Sequence, residues 1–204
     1  MRLILVRHGR PDEDDAVSPN DPPLNADGWR QAHAVADLLA GEGVTRIVAS
    51  PLQRAHQTAE PLAERLRMPI DTIGGWAEAD CATSRYRSTE TLRAEGGEPW
   101  RRFLADPIRY LGSNPAEFCV GVIAALDETA PIAAPGSRVA VFTHGLPINI
   151  VLSHALGLER ITHFLPGYGS VTRLRRREDG GIGVVSVNES GHHRAEPTLR
   201  VRHG

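Results

Sequence analysis

Apolar residues along this chain fall into two rhythms. Short unbroken runs, Leu3-Ile4-Leu5-Val6, Ile47-Val48-Ala49 and Val139-Ala140-Val141-Phe142, read as strands buried on both faces, as in the middle of a parallel sheet. Between and after them the apolar positions recur at helical spacing: Trp29, Ala32, Val35, Ala36 and Leu39; then Phe118, Val122, Ile123 and Leu126; then Ile148, Val151, Leu152 and Ala155. Strands alternating with helices predict an α/β domain.

Punctuation sharpens the boundaries. Asn25 suits the N-cap of the first helix, which Gly41 or Gly43 ends; Ser50 with Pro51 suits a helix opening right at the end of the second strand. Pro115 and Pro147 open two later helices, and Gly157 stops the last. Val171 to Arg175 alternates apolar and basic, as an edge strand does, with a hairpin partner at Gly183 to Val187 across Asp179-Gly180-Gly181. From Pro69 to Asp106 the pattern loosens, and one helix around Trp100, Phe103 and Leu104 is closed by Pro107. The stretch from about residue 80 to 106 reads as a polar insertion over the strand ends, the place for substrate selectivity. Composition turns polar at Asn188. The expected organisation is one domain over residues 1–187, with 188–204 a mobile tail in which the adjacent His192 and His193 are incidental.

Composition narrows the function classes. At 204 residues the chain suits one sizeable core rather than two. A net charge of −2 lacks the basic excess of a nucleic-acid binder, and no apolar run approaches the roughly 20 residues a bilayer span needs. Met1 to Val6 is too short for the core of a signal peptide, so the cytoplasm is the expected compartment. Cys81 and Cys119 lack metal-type spacing and are expected to be free thiols.

The candidate chemistry sits at strand ends. The first strand stops at Arg7-His8-Gly9, the second runs into Ser50 and then Arg54, and the third stops at Thr143-His144-Gly145. Ligands of open α/β sheets bind outside the carboxyl ends of the strands. Arginine offers a planar fork for phosphate, histidine a base or nucleophile, and glycine a close backbone approach. Arg54, one turn into its helix, leans back toward the same rim, where the helix N-terminus adds attraction for an anion. A second Arg-His-Gly, at residues 202–204, follows no buried strand and carries no such implication. The acidic run Asp12-Glu13-Asp14-Asp15 reads as a solvated loop; a divalent metal site built from it with His8 is the lesser alternative.

These motifs together resemble the histidine phosphatase superfamily, also called phosphoglycerate-mutase-like. The resemblance rests on Leu5-Val6-Arg7-His8-Gly9; Pro23-Leu24-Asn25 with Gly28 and Gln31-Ala32; Ser50-Pro51-Leu52 with Arg54-Ala55 and Gln57-Thr58-Ala59; and Thr143-His144-Gly145. It implies a three-layer α/β/α sandwich with a mostly parallel central sheet. By the same resemblance His8 is transiently phosphorylated, Arg7, Arg54 and His144 neutralise the phosphoryl group, and no metal or other cofactor is needed. The proton donor is an acid before the insertion: Glu78 matches best and Asp80 second.

Phosphoryl transfer is mostly positioning and positive electrostatics, which two arginines and a histidine supply. His8 must be neutral at its attacking nitrogen, with the other nitrogen donating to something fixed, a backbone carbonyl by expectation. The mutase branch would lead one to expect a Glu-Ser or Glu-Thr pair and an asparagine soon after Gly9, where this chain has Arg10-Pro11 and the acidic run, and the chain is short for a mutase. The expectation is therefore a phosphatase acting on a small phosphorylated substrate. A mutase and a non-catalytic phospholigand-binding module stay open as rivals, and a homodimer stays open as the assembly.

Overall fold

The computed structural model describes residues 1–80, 83–129 and 136–193. Six strands, β1 (Arg2–Arg7), β2 (Arg46–Ala49), β3 (Ile70–Thr72), β4 (Arg138–Thr143), β5 (Val171–Arg176) and β6 (Ile182–Glu189), form one sheet in the order β3-β2-β4-β1-β5-β6. The first four run parallel, while β5 lies antiparallel beside β1 and β6 antiparallel beside β5.

The helices are α1 (Ala26–Ala40), α2 (Gln53–Leu66), α3 (Thr89–Glu95), α4 (Gly97–Ala105), α5 (Pro107–Tyr110), α6 (Pro115–Thr129) and α7 (Gly145–Leu156). Each unbroken aliphatic run feeds two cores, because successive strand side chains point to opposite faces. Ile4, Val6, Ala140 and Phe142 pack with Val35, Leu39 and Leu62 of α1 and α2. Leu3, Leu5, Val139 and Val141 pack with Val122 and Leu126 of α6 and Ile148, Val151 and Leu152 of α7. The α/β/α layering follows from that alternation. In α7 every residue from Leu146 to Ser153 is buried, hence its apolar character all round.

Several local expectations change. Asn25 caps α1 as expected, accepting from Gly28 N at 2.9 Å. Ser50 does not cap α2: the helix starts later, at Gln53, and its first amide is held by both oxygens of Asp21 at 2.9 and 3.0 Å. The strand Val171–Arg176 is not the edge. It lies between β1 and β6, and its arginines find carboxylates: Arg173 pairs with Glu42 and Glu189, Arg176 with Asp127. The sequence pattern did not reveal β3, whose three residues sit at the sheet margin and are only partly covered.

The insertion is helical rather than loose, built from α3, α4 and α5. Pro107 both follows α4 and opens α5, with Asp106 capping it. The expected tail boundary at Asn188 is also moved. β6 continues through Glu189, and a 3-10 turn at Gly191–His193 returns to α1, burying His193. His192 Nε2 meets the carbonyl of Gly169 at 2.8 Å, so this pair of histidines anchors the end of the described chain. The rest of the expected tail, residues 194–204 with the second Arg-His-Gly, lies outside the described residues, as does Cys81; Cys119 is a free thiol.

Candidate active site

Register places the chemistry. β1 and β4 run in step with Arg7 opposite Thr143, so the next residues, His8 and His144, leave the sheet side by side. Their ring centroids are 5.0 Å apart. Ala49 of β2 lies opposite Phe142, which delivers Ser50 to the same rim. Main-chain bonds fix the exit, with His8 N donating to Thr143 O at 2.9 Å and Ser50 N to Phe142 O at 2.9 Å.

His8 is buried, and its Nδ1 lies 2.7 Å from the carbonyl of Gly9. A carbonyl only accepts, so Nδ1 carries the proton and Nε2 keeps its lone pair. Burial first, then the guanidinium groups of Arg54 and Arg7, hold the imidazole well below its usual pKa, so the ring is neutral near pH 7. The backbone after His8 is clamped by the remaining motif residues. Gly9 N donates to Thr58 Oγ1 at 2.9 Å, Arg10 N to Gln31 Oε1 at 2.9 Å, and Gly9 presses directly on Gly28.

His144 is held by Ser50, whose Oγ lies 2.7 Å from Nε2. That hydroxyl oxygen also accepts from Leu52 N at 3.2 Å, which fixes the serine in place beside the ring. With Nε2 occupied by Ser50, the other ring nitrogen, Nδ1, is buried and has no hydrogen-bond partner among the described residues. Burial and Arg54 likewise depress its pKa. Ser50, read from sequence as a helix cap, thus orients the His144 ring.

Both arginines are buried and grip carboxylates. Arg7 forms a fork with Glu90 of α3, at 2.5 and 3.0 Å, and donates to the carbonyl of Pro166 at 2.6 Å. The ring of Tyr168 lies 4.1 Å from the Arg7 guanidinium carbon. Arg54 meets both oxygens of Asp80, at 2.9 and 3.1 Å, and Asp21 at 3.3 Å, with Tyr86 stacked 4.4 Å from its guanidinium carbon. Arg7 Nε and Arg54 Nε are buried without a partner among the described residues, as is His144 Nδ1. The two arginine Nε–H groups are unsatisfied buried donors beside His8 and suit an anion, because an unpaired buried N–H costs on the order of 1–3 kcal/mol.

Glu78 lies at the N-terminus of α7. Its two oxygens accept from Ala79 N at 3.0 Å and Leu146 N at 3.2 Å. Burial, reinforced by the charge of Asp80, nonetheless pushes its carboxyl up to about 7. Asp80 is raised by burial and pulled down by Arg54, whose guanidinium it meets with both oxygens. The two candidate acids therefore divide: Glu78 can carry a proton near neutrality while Asp80 serves as the counter-ion of Arg54.

The acidic run belongs elsewhere. Glu13 accepts from Ser88 N and the Thr91 hydroxyl, tying the loop to the start of α3. Glu90, Tyr86 and Tyr168 escaped the sequence reading. Ser88, which caps α3 through Thr91 N, was the available signal for a helix whose first turn carries Glu90.

Comparison with known proteins identifies the family and the fold. Residues 3–190 match the family model of the histidine phosphatase superfamily, branch 1. A probable phosphoglycerate mutase of Proteus mirabilis is 34% identical over 185 residues, covering 87% of this chain and 81% of the relative. One from Yersinia enterocolitica is 32% identical over 165 residues, covering 78% and 76%. Among solved structures, phosphoserine phosphatase of Entamoeba histolytica bound to 3-phosphoglyceric acid superposes with a TM-score of 0.73 at 25% identity, over 94% of this chain and 98% of that one. A mycobacterial glucosyl-3-phosphoglycerate phosphatase shares the fold, with a TM-score of 0.73 at 22% identity over 93% and 99% of the two chains. The chain therefore belongs to the histidine phosphatase superfamily.

Proposed function

We propose that this chain is a phosphomonoester hydrolase working through a phosphohistidine on His8. One observation carries the reading: His8 Nδ1 is committed to the Gly9 carbonyl, so a neutral imidazole offers Nε2 beside His144 and two buried arginines.

In the first step Nε2 attacks phosphorus. A P–N bond forms, the P–O bond to the alcohol breaks, and the proton of Glu78 passes to the departing oxygen. Arg7, Arg54 and His144 hold the three equatorial oxygens, where charge collects in the transition state. In the second step the Glu78 carboxylate takes a proton from water, the water oxygen bonds to phosphorus, and the P–N bond breaks. The sum is ester plus water giving alcohol plus phosphate, with His8 and Glu78 returned to their starting forms. A carboxyl poised near 7 suits both halves of that cycle.

Phosphoglycerate mutase is the second reading, favoured by the names of the relatives at 34% and 32% identity. Against it stand Arg10-Pro11 and the acidic run after Gly9. Incubation with a labelled phosphomonoester, quenched in base, is expected to trap an acid-labile protein adduct in the wild type and none in His8→Ala. Glu78→Gln slows formation of the adduct from alkyl esters. Release of inorganic phosphate from simple monoesters, without isomerisation of 3-phosphoglycerate, supports the hydrolase; rapid isomerisation with little phosphate release overturns it in favour of the mutase.

A further inference from the structure

Beside the phosphate-binding groups lies a narrow cleft of about 70 Å³, open to solvent, with Arg7, His8, Glu78 and Glu90 in its wall. Most of the remaining lining surface is apolar, interrupted by Thr89, Asn149, Thr162 and two arginines. Phe103 and Leu104 come from α4, Leu111 follows α5, and Ile161, Phe164 and Leu165 come from the segment after α7. Two of these remain open to solvent at the side chain, Leu104 at 44% and Leu165 at 39% exposure. Separate stretches of chain thus present aliphatic and aromatic surface to one space that is continuous with the reacting centre.

The charges on the same walls are paired with one another, Asp80 with Arg54 and Glu90 with Arg7. Glu78, Asp80 and Glu90 stand at the inner end. The cations that approach from α3 and the segment before it are engaged: Arg87 is paired with Glu95, and Arg93 has a partner of its own. A carboxylate on the alcohol moiety would leave water for a largely apolar wall whose cations already have partners, a desolvation cost that an alkyl or aryl group does not carry.

We propose that the cleft receives the alcohol portion of the substrate and selects an apolar one, so that the preferred substrates are phosphate monoesters of alkyl or aryl alcohols rather than of short hydroxy acids. This rests on the reading of His8 as the phosphoryl acceptor. Glu78 stands where the phosphate pocket joins the cleft, which sets the scissile oxygen at the junction and the hydrocarbon outward.

The test is a series of primary n-alkyl phosphates from ethyl to octyl, whose leaving alcohols hardly differ in acidity. It is run for turnover and, with the matching alkylphosphonates, for binding by calorimetry. The expected result is a rise of roughly fourfold in kcat/KM, and in phosphonate affinity, per added methylene until the cleft is filled. 3-Phosphoglycerate and phosphoserine are expected to fall below hexyl phosphate. Leu104→Arg, at an exposed rim position, flattens the series and improves 3-phosphoglycerate, with an unchanged melting temperature confirming the fold. A flat series in hydrolysis and in binding, or 3-phosphoglycerate outrunning hexyl phosphate, overturns the inference while leaving the hydrolase standing. A steep phosphonate series without turnover of any ester upholds the cleft's selectivity and overturns the hydrolase.

Discussion

Glu90 holds Arg7 by both carboxylate oxygens, at 2.5 and 3.0 Å, inside the pocket proposed to bind a phosphoryl group. An acid from the insertion therefore competes with the ligand for a cation contributed by β1. The pairing lowers the pKa of Glu90 through Arg7, against the upward push of burial, so the carboxylate is charged at neutral pH. Glu90→Gln keeps the shape but removes the charge. Competitive inhibition by inorganic phosphate or vanadate is expected to tighten about tenfold, the worth of one charge-assisted hydrogen bond. Inhibition constants measured side by side decide it, and unchanged or weaker inhibition means that Glu90 orients Arg7 rather than competing for it.

Why Glu90 was invisible from the sequence is instructive. Arg7, His8, Arg54 and His144 stand at the ends of strongly apolar runs or one helical turn beyond, where local pattern fixes position. Their counter-ions do not: Glu90 and Asp80 approach from a segment with no strong period, and only tertiary contact brings them within 3.1 Å of the two guanidinium groups. The same limit applies to Ser50. A serine before a proline at a strand end carries the local signature of a helix cap, and only the register of three strands turns it toward His144. The β1, β2 and β4 cores were legible because both faces are covered. β3 was not, being short and marginal, and β5 was misread as an edge because salt bridges, rather than solvent, satisfy its arginines.

Ser50 should matter more for ligand binding than for stability. Without its hydroxyl, His144 Nε2 loses its hydrogen-bond partner, and neither the orientation nor the tautomer of the ring is held. Ser50→Ala is expected to lower kcat/KM by roughly 10- to 100-fold, the range seen when a supporting partner of a site histidine is removed. Its cost in unfolding free energy is about 1–3 kcal/mol. Ser50→Thr, which restores the hydroxyl, should recover most of the activity. Equal losses in the alanine and threonine variants would point to packing instead.

Gly28 belongs to an ordinary helical turn, yet a side chain is barred there. A Cβ at Gly28 would lie 2.2 Å from the carbonyl oxygen of Arg10, and one at Gly9 would lie 2.6 Å from that of Gly28. Helix propensity alone favours alanine by about 1 kcal/mol, but backbone cannot yield as a side-chain tip can. Gly28→Ala is expected to destabilise by about 3 kcal/mol and to impair catalysis by shifting the Gly9 carbonyl that orients His8. Gly121→Ala, in α6 with nothing within 4 Å of its added Cβ, should instead stabilise by up to about 1 kcal/mol. Denaturant midpoints of the two variants, moving in opposite directions, check the pair.

The pH dependence follows from which form of Glu78 each step needs. Protonating an alkoxide leaving group requires the acid form, and with the carboxyl pushed up to about 7 that form is lost as pH rises through neutrality. For alkyl phosphates kcat/KM should therefore fall above about pH 7, approaching tenfold per unit. His8 and His144 are held well below their usual range, so neither contributes a loss on the mildly acidic side. Any acid limb belongs to the second ionisation of the substrate, near pH ~6 for a phosphate ester. p-Nitrophenyl phosphate supplies a control, because its leaving group departs without a proton and its profile should stay flat where the alkyl profile descends. Glu78→Gln should remove the alkaline limb for alkyl esters at a reduced plateau while sparing formation of the adduct from the nitrophenyl ester. If Glu78→Gln keeps the limb and Asp80→Asn removes it, the proton comes from Asp80 and the division of labour between the two acids is the reverse.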